Sequence, residues 1–232
     1  MWRSMLKVAA ATAAFGAVHS LLASRPAKQA AARTFGERNR NGLYRVFYIG
    51  QSLVTFGLLT SYIRRQPSRE IYQIEGPLAA LMRAAQAGSL VFATAAAHQV
   101  GLQRIIGLES FRAWLGAGPV PAEPEAQGPA LDEHGRNRSA GPFAWSRHPL
   151  NFAPLPIFWL NPRMTTNLLA FNIASTIYFL LGSLHEEARL RQEFGELYDH
   201  YLRSGVPFYI PSPRRSMLGS AEAIAGLKFA AA

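Results

Sequence analysis

Two short clusters in this chain have side chains suited to chemistry: Arg147-His148-Pro149 and His185-Glu186-Glu187. An arginine beside a histidine can hold a carboxylate by charge-assisted hydrogen bonds, and a pair of carboxylates can take an ammonium group or a diol. Each cluster also has a plainer reading. A proline in the first turn marks a helix start, and Arg and His suit a membrane interface. The two glutamates fit the solvated start of an amphipathic helix, paired with Arg189 or Arg191. Convergence favours the chemical reading. The apolar run 142–160, a turn at Asn161-Pro162-Arg163 and the apolar run 167–184 form a predicted helical hairpin. Such a hairpin brings both clusters to one membrane face, over an apolar floor with Trp145, Phe152 and Phe158. Carboxylates facing lipid are costly, so a mixed-charge rim of this kind marks function and argues against a purely non-enzymatic membrane scaffold.

The elements that must position these clusters are apolar helices. Stretches 6–22, 43–63, 77–97 and 167–184 each approach the roughly 20 residues needed to cross ~30 Å of hydrocarbon. The fifth, 142–160, has a shorter apolar part and is broken by Pro154 and Pro156. The expected class is all-α: a polytopic membrane protein with about five transmembrane helices and a C-terminal cytoplasmic amphipathic helix. The mean hydropathy of +0.03 conceals this, because charge is concentrated between the apolar runs. Residues 1–100 are expected to form three N-terminal transmembrane helices. Residues 101–141 are a cytoplasmic interfacial helix and loop, 142–211 a hairpin plus amphipathic helix that makes the pocket, and 212–232 a peripheral tail, all in one integrated membrane domain. The first apolar run resembles a signal peptide, with Arg3 and Lys7 ahead of it, but a second span follows at once and the expectation is that it stays.

Net charge is +10, which in a soluble protein would suggest nucleic acid. Here it reads as topology, with contact to anionic membrane lipids second and no nucleic acid or obligate protein partner implied. Lys and Arg number six in the first loop, five in the third and six in the tail, against two, three and one in the N-terminus, second and fourth loops. The positive-inside rule then sets the N-terminus outside and the C-terminus in the cytoplasm. Cysteine is absent, so disulfides, thiolate nucleophiles and zinc–thiolate sites are excluded.

Finer signals follow. Gly and Ala recur in the first and third spans, where small residues let membrane helices approach closely. Arg83 can snorkel. Residues 107–115 suit a short interfacial helix, and 118–139 an irregular loop. Thr165 or Thr166 is a plausible N-cap for the last span. Leu190, Phe194, Leu197, Tyr198 and Tyr201 give 186–203 an apolar face, Gly205 and Pro207 end that helix, and 206–211 should be extended. His19, His98, His148 and His185 fall at one level of the membrane, whereas His134 and His200 read as solvated. Interfacial histidines can simply bond helix ends or water. They can also act: His19 as a base that deprotonates an acceptor, or His19 and His98 as axial ligands of a haem or metal.

The ordered pattern Trp145-Ser146-Arg147-His148-Pro149-Leu150, Phe158-Trp159, Pro162, Met164-Thr165, Leu168-Leu169, Tyr178, Gly182, Glu186-Glu187, Leu190, Phe194-Gly195, Tyr198, Tyr201, Val206-Pro207 and Pro211 resembles the C-terminal half of the isoprenylcysteine carboxyl methyltransferase superfamily. It is most similar to the bacterial methanethiol S-methyltransferase branch, with the nitrite/nitric-oxide-reductase-associated membrane family nearby. His19-Ser20-Leu21-Leu22-Ala23-Ser24 and Tyr44-Arg45-x-x-Tyr48 resemble the same branch. The resemblance implies a bacterial inner-membrane methyltransferase that uses S-adenosyl-L-methionine without a Rossmann domain. The cofactor pocket it implies involves Trp145, Arg147, His148, Pro149, Leu150, Glu186, Glu187, Tyr198 and Tyr201. Arg147 and His19 would be catalytic, and Asn151, His98 and Tyr48 would meet a small thiol or lipophilic acceptor arriving from the membrane. The reductase-associated neighbour keeps a haem- or metal-binding isomerase or reductase-associated protein as the alternative. The chain departs from the family pattern at Asn151, at Ala153-Pro154 and at Phe208, on the acceptor side of the implied pocket.

Overall fold

The computed structural model describes residues 1–121 and 141–213. The polar run 132–139, His134 and the tail from 214 lie outside the described residues. Four helices are long and apolar enough to cross a membrane: α1 (Trp2–Ala23), α3 (Glu37–Arg65), α4 (Gly76–Val100) and α10 (Thr166–Phe194). Their outer faces expose Leu53, Val54, Leu81, Leu90, Val91, Ile177 and Leu181, as lipid-facing helices do. The chain is an all-α polytopic membrane protein.

Shape complementarity holds the helices together. The buried residues of α1 are Ser4, Val8, Thr12 and Gly16, a stripe of period four that packs on α10. A Cβ at Gly16 would come within 2.7 Å of the Tyr178 ring, so only glycine allows that approach. Val8, Leu59, Ala170 and Phe171 form the core of one half of the bundle, so α1 and α10 run the same way and α3 runs against them.

The fifth apolar segment crosses as three short helices: α7 (Pro142–Trp145), α8 (Pro149–Phe152) and α9 (Pro154–Trp159). The expected hairpin therefore has one continuous arm, α10, and one broken arm. The broken arm runs antiparallel along α4: Trp145 stacks on Phe92, and further down Ala153 and Ile157 meet Ser89 and Gln86. Prolines at 149, 154 and 156 remove amide donors and divide the segment, and carbonyls along it accept from side chains of other helices. Ser89 Oγ donates to Ala153 O (2.6 Å), Gln86 Nε2 to Ile157 O (2.7 Å) and Asn172 Nδ2 to Phe158 O (2.9 Å).

At one end of the bundle β1 (Glu70–Gln73) pairs antiparallel with β2 (Arg163–Thr165), where only a turn was expected. Arg163 Nε donates to Glu70 Oε2 at 2.7 Å, and the Thr165 side chain caps α10 by accepting from Leu168 N. At the other end α2 (Arg25–Phe35) occupies what read as a loop, held by the Ser24 N-cap and Pro26 in its first turn. At the same end α5 (Leu102–Ile105) leads from α4 to α6 (Leu108–Leu115), the expected interfacial helix, which packs on α3. The expected amphipathic helix 186–203 divides differently. α10 continues unbroken to Phe194, turns at Gly195 with φ +52°, and resumes as α11 (Glu196–Arg203). Gly205 with φ +78° then turns the chain into 206–212, which pairs with 145–147 through Arg147 N to Pro207 O and Ser212 N to Trp145 O, both 2.9 Å.

Candidate functional site

The two clusters of the sequence meet. Arg147 Nε donates to Glu187 Oε1 at 2.8 Å, and Arg147 Nη1 reaches Val206 O at 3.3 Å. His148 lies between the carboxylates, Nδ1 at 3.3 Å from Glu186 Oε2 and Nε2 at 3.3 Å from Glu187 Oε1. Asn151 Nδ2 extends the network to Glu186 Oε2 (3.1 Å) and Ser183 Oγ (3.0 Å). Local geometry explains the convergence. Pro149 starts α8 one residue after His148, so Arg147 and His148 sit on the turn ahead of that helix, while Glu186 and Glu187 lie on a continuous turn of α10. Ser146 Oγ donates to Tyr209 O at 2.7 Å and accepts from His148 N at 3.2 Å, which locks the turn against the returning chain.

Burial grades this network. The His148 side chain is 1% exposed and that of Glu187 10%, whereas that of Glu186 is 24%. Phe208 covers the buried side: its ring lies 5.1 Å from the His148 ring and 5.5 Å from the Arg147 guanidinium. Behind the network Tyr198 and Tyr201 are fully buried with Leu190 and Val206. Tyr201 donates to Phe143 O at 2.9 Å. Burial, reinforced by the nearby Glu187 charge, pushes the Tyr198 phenol up, and burial beside Tyr198 does the same for Tyr201. The Tyr198 hydroxyl is buried without a hydrogen-bond partner among the described residues.

The exposed side of the network opens onto a cavity of about 670 Å³ between α1, α3, α8 and α10. Leu150, Asn151, His185 and Glu186 form one wall, and His19, Tyr44, Tyr48 and Ile49 form the facing wall. Four cationic side chains line its mouth: Arg25, Lys28, Arg45 and Arg189. Gly182, Tyr178 and Phe179 line its α10 side. This volume lies within the usual range for small-molecule sites, about 300–1,000 Å³.

The expected site residues therefore divide into groups. Arg147, His148, Asn151, Glu186 and Glu187 form one bonded network. Pro149 is buried at its base, and Tyr198 and Tyr201 back it. Leu150 lines the cavity, and His19 and Tyr48 face it from the opposite wall. Trp145 turns away to stack on Phe92 of α4. His98 is not brought in: it lies exposed at the end of α4, in a separate cavity of about 660 Å³ with Gln103, Arg104 and Glu109. His19 and His98 thus do not face a common space. Both His19 ring nitrogens are already engaged, Nδ1 with Ser52 Oγ at 3.0 Å and Nε2 with the Tyr48 hydroxyl. Sequence reasoning missed the cationic mouth, because Arg25, Lys28, Arg45 and Arg189 read there as topology signals. It also missed Ser52, Ser183 and Tyr209, single polar residues with no motif around them.

No family model matches the chain, and no solved structure matches it. Curated relatives do. The chain is 38% identical over 92 residues to the methanethiol S-methyltransferase of Pseudomonas deceptionensis, covering 40% of this chain and 35% of the relative. It is 43% identical over 65 residues to methanethiol S-methyltransferase 2 of Bradyrhizobium diazoefficiens, covering 28% and 25%. It is 39% identical over 69 residues to the methanethiol S-methyltransferase of Crocosphaera subtropica, covering 30% and 27%. The matched stretches thus span about a quarter to a third of these relatives' own lengths. In sequence, this chain is similar to methanethiol S-methyltransferases, the branch to which the Arg147-His148-Pro149 and Glu186-Glu187 pattern points.

Proposed function

We propose that this protein is an integral-membrane methyltransferase that moves a methyl group from S-adenosyl-L-methionine to a small thiol. The observation that carries the reading is the junction of the Arg147–Glu187–His148–Glu186–Asn151 network with a cavity that also contains His19 and Tyr48. The similarity to methanethiol S-methyltransferases supports the reaction class. The charge distribution supports an inner-membrane orientation with the N-terminus outside and this site at the cytoplasmic face.

The residues present fit this cofactor. It carries a carboxylate, an ammonium, a ribose diol and a sulfonium. The cavity offers guanidinium and ammonium groups (Arg45, Lys28, Arg189) for the carboxylate and Glu186 for the ammonium or diol. The Tyr198 hydroxyl, without a partner among the described residues, leaves one more polar demand beside the network. When bound, S-adenosyl-L-methionine supplies an electrophilic methyl on a positively charged sulfur.

The chain's own residues then bind, orient and exclude water. Glu187, held by Arg147 and His148, fixes the turn of α10 that presents Glu186. Asn151 holds Glu186 from the other side. Phe208, Tyr198 and Tyr201 keep water from the back of the network. Ile49, Leu150, Phe179 and Gly182 provide an apolar approach for a lipophilic thiol from the bilayer. In-line methyl displacement asks mainly for alignment and exclusion of water.

Calorimetric titration of the purified protein in detergent with S-adenosylhomocysteine tests the reading. Saturable binding is expected, weakened in Glu186→Gln and in His148→Ala. Absence of saturable binding to the unsubstituted protein refutes it.

A further inference from the structure

One face of α10 lines the cavity, and its residues change character along the helix. Tyr178 and Phe179 stand at one end, Gly182 in the middle, and His185, Glu186 and Arg189 at the other. The step from Glu186 to Arg189 is i to i+3, which puts the two side chains on one helix face with Cβ atoms about 5–6 Å apart. A glutamate and an arginine so placed ordinarily pair with each other. Here they do not. Glu186 bonds through Oε2 to Asn151 Nδ2 at 3.1 Å and to His148 Nδ1 at 3.3 Å, and Asn151 is tied in turn to Ser183 Oγ at 3.0 Å. The carboxylate is thus drawn towards α8, and its Oε1 makes no bond among the described residues. The Arg189 side chain makes no hydrogen bond or ion pair among the described residues, and its Nε is enclosed, which leaves the terminal nitrogens to meet whatever fills the cavity. Other cations are placed differently. Arg147 is committed to Glu187 and the Val206 carbonyl, lies over the Phe208 ring, and does not line the cavity. Arg25 pairs with Glu193 at 3.0 Å, and Arg45 donates to the Ile105 carbonyl at 2.6 Å. Lys28 stands on α2, a different helix from Glu186.

An α-amino acid carries its ammonium and its carboxylate on one carbon. A site for it needs an anion and a cation side by side that do not neutralise each other. We infer that Glu186 and Arg189 are that seat, Glu186 taking the ammonium and Arg189 the carboxylate at the amino-acid end of S-adenosyl-L-methionine, with Asn151 as the positioning residue that keeps the two charges apart. This rests on the methyltransferase reading and narrows it. Glu186 is assigned to the ammonium and not to the ribose diol, and the carboxylate goes to an arginine outside the Arg147-His148-Pro149 cluster. A guanidinium suits that task, because its paired N–H donors match the two oxygens of a carboxylate. A zwitterion satisfies both side chains at once. A ligand that lacks either charge leaves one of them unpaired against the cavity wall, and a site built for a polar group discriminates strongly against analogues without it.

Calorimetric titration of the purified chain in detergent tests the seat with a set of probes. They are S-adenosylhomocysteine, its decarboxylated analogue (an aminopropyl thioether), its deaminated analogue (a butanoate thioether), and methylthioadenosine, which has neither charge. The unsubstituted protein should bind S-adenosylhomocysteine about tenfold or more tightly than each of the others, the scale of one charged hydrogen bond. Arg189→Gln should lower affinity for S-adenosylhomocysteine and for the deaminated analogue about 10- to 150-fold, and change that for the decarboxylated analogue by less than about threefold. Glu186→Gln should weaken S-adenosylhomocysteine and the decarboxylated analogue and spare the deaminated one. Asn151→Ala should weaken S-adenosylhomocysteine about tenfold or more yet leave methylthioadenosine within about threefold, because only the amino-acid end has lost its seat. Equal losses for all probes in Arg189→Gln, or no loss for S-adenosylhomocysteine, overturn the seat. So does an unsubstituted protein that binds the decarboxylated analogue as tightly as S-adenosylhomocysteine, a comparison that needs no variant. If the unsubstituted protein binds none of the probes, the methyltransferase reading beneath the seat fails instead.

Discussion

Glu186 and Glu187 are neighbours in sequence, yet the geometry gives them separable duties. Glu187 accepts from Arg147 at 2.8 Å and faces His148 at 3.3 Å, with only 10% of its side chain exposed. Removing it strands a mostly buried guanidinium. Breaking a buried pair from one side costs about 3–5 kcal/mol, and the 17% exposure of Arg147 places the loss near the lower end, about 3 kcal/mol. At about 2–4 °C per kcal/mol for a chain of this size, Glu187→Ala should melt about 6–12 °C below the parent in detergent. Glu186 is more exposed, lines the cavity, and among the described residues bonds Asn151 and His148. Glu186→Gln keeps its shape but loses the charge available to a cationic ligand. A hydrogen bond to a charged group contributes about 1.5–3 kcal/mol, so S-adenosylhomocysteine affinity should fall about 10- to 150-fold while the melting temperature moves little. Thermal unfolding and calorimetric titration on the same preparations give both numbers. If Glu186→Gln melts as low as Glu187→Ala while binding S-adenosylhomocysteine normally, the division of labour is wrong.

The remaining predictions probe the fold and cavity. Gly16→Val puts a branched side chain where a Cβ alone would lie 2.7 Å from the Tyr178 ring, so overpacking of about 1–3 kcal/mol should appear as a lower melting temperature. Gly182 lines the cavity and an added Cβ would meet nothing within 4 Å, so Gly182→Val should fold normally. It should lower methyl transfer to a branched or long-chain thiol about tenfold relative to the smallest alkanethiol, read as a ratio of kcat/KM values. Ser89→Ala removes the side-chain hydrogen bond to the Ala153 carbonyl, a loss of about 0.5–1.5 kcal/mol checked by the same melts. Tyr198, Tyr201 and Tyr209 all have phenols raised by burial. A raised phenol favours the protonated folded state, so its stabilisation is complete below the ordinary value of about 10 and is lost as pH rises towards the folded value. Ultraviolet titration should show these three ionising only with alkaline unfolding.

The sequence by itself determined the class and the residues of one wall of the candidate site. Four runs of apolar residues long enough to cross the bilayer need no tertiary information, because the solvent they match is a slab of known thickness. Arg147-His148 and Glu186-Glu187 were legible because a hairpin between them leaves their ends few places to go. A threonine cap at 165 or 166 was legible because its chemistry is local, and the structure uses Thr165. The divided segment 142–159 showed its prolines in the sequence, but not that Ser89, Gln86 and Asn172 of other helices would donate to its carbonyls. Helix α2 was hidden because its charges read as a loop, although Ser24 and Pro26 signal its start. The far wall of the cavity was decided only in three dimensions. His19 comes from α1, and Tyr48 and Ser52 from α3, so their meeting is set by how those two helices pack. No periodicity in one helix states which turn of another it will meet. The same packing separated His98 from His19, turned Trp145 towards α4, and brought cations that read as topology signals together as the mouth of a pocket.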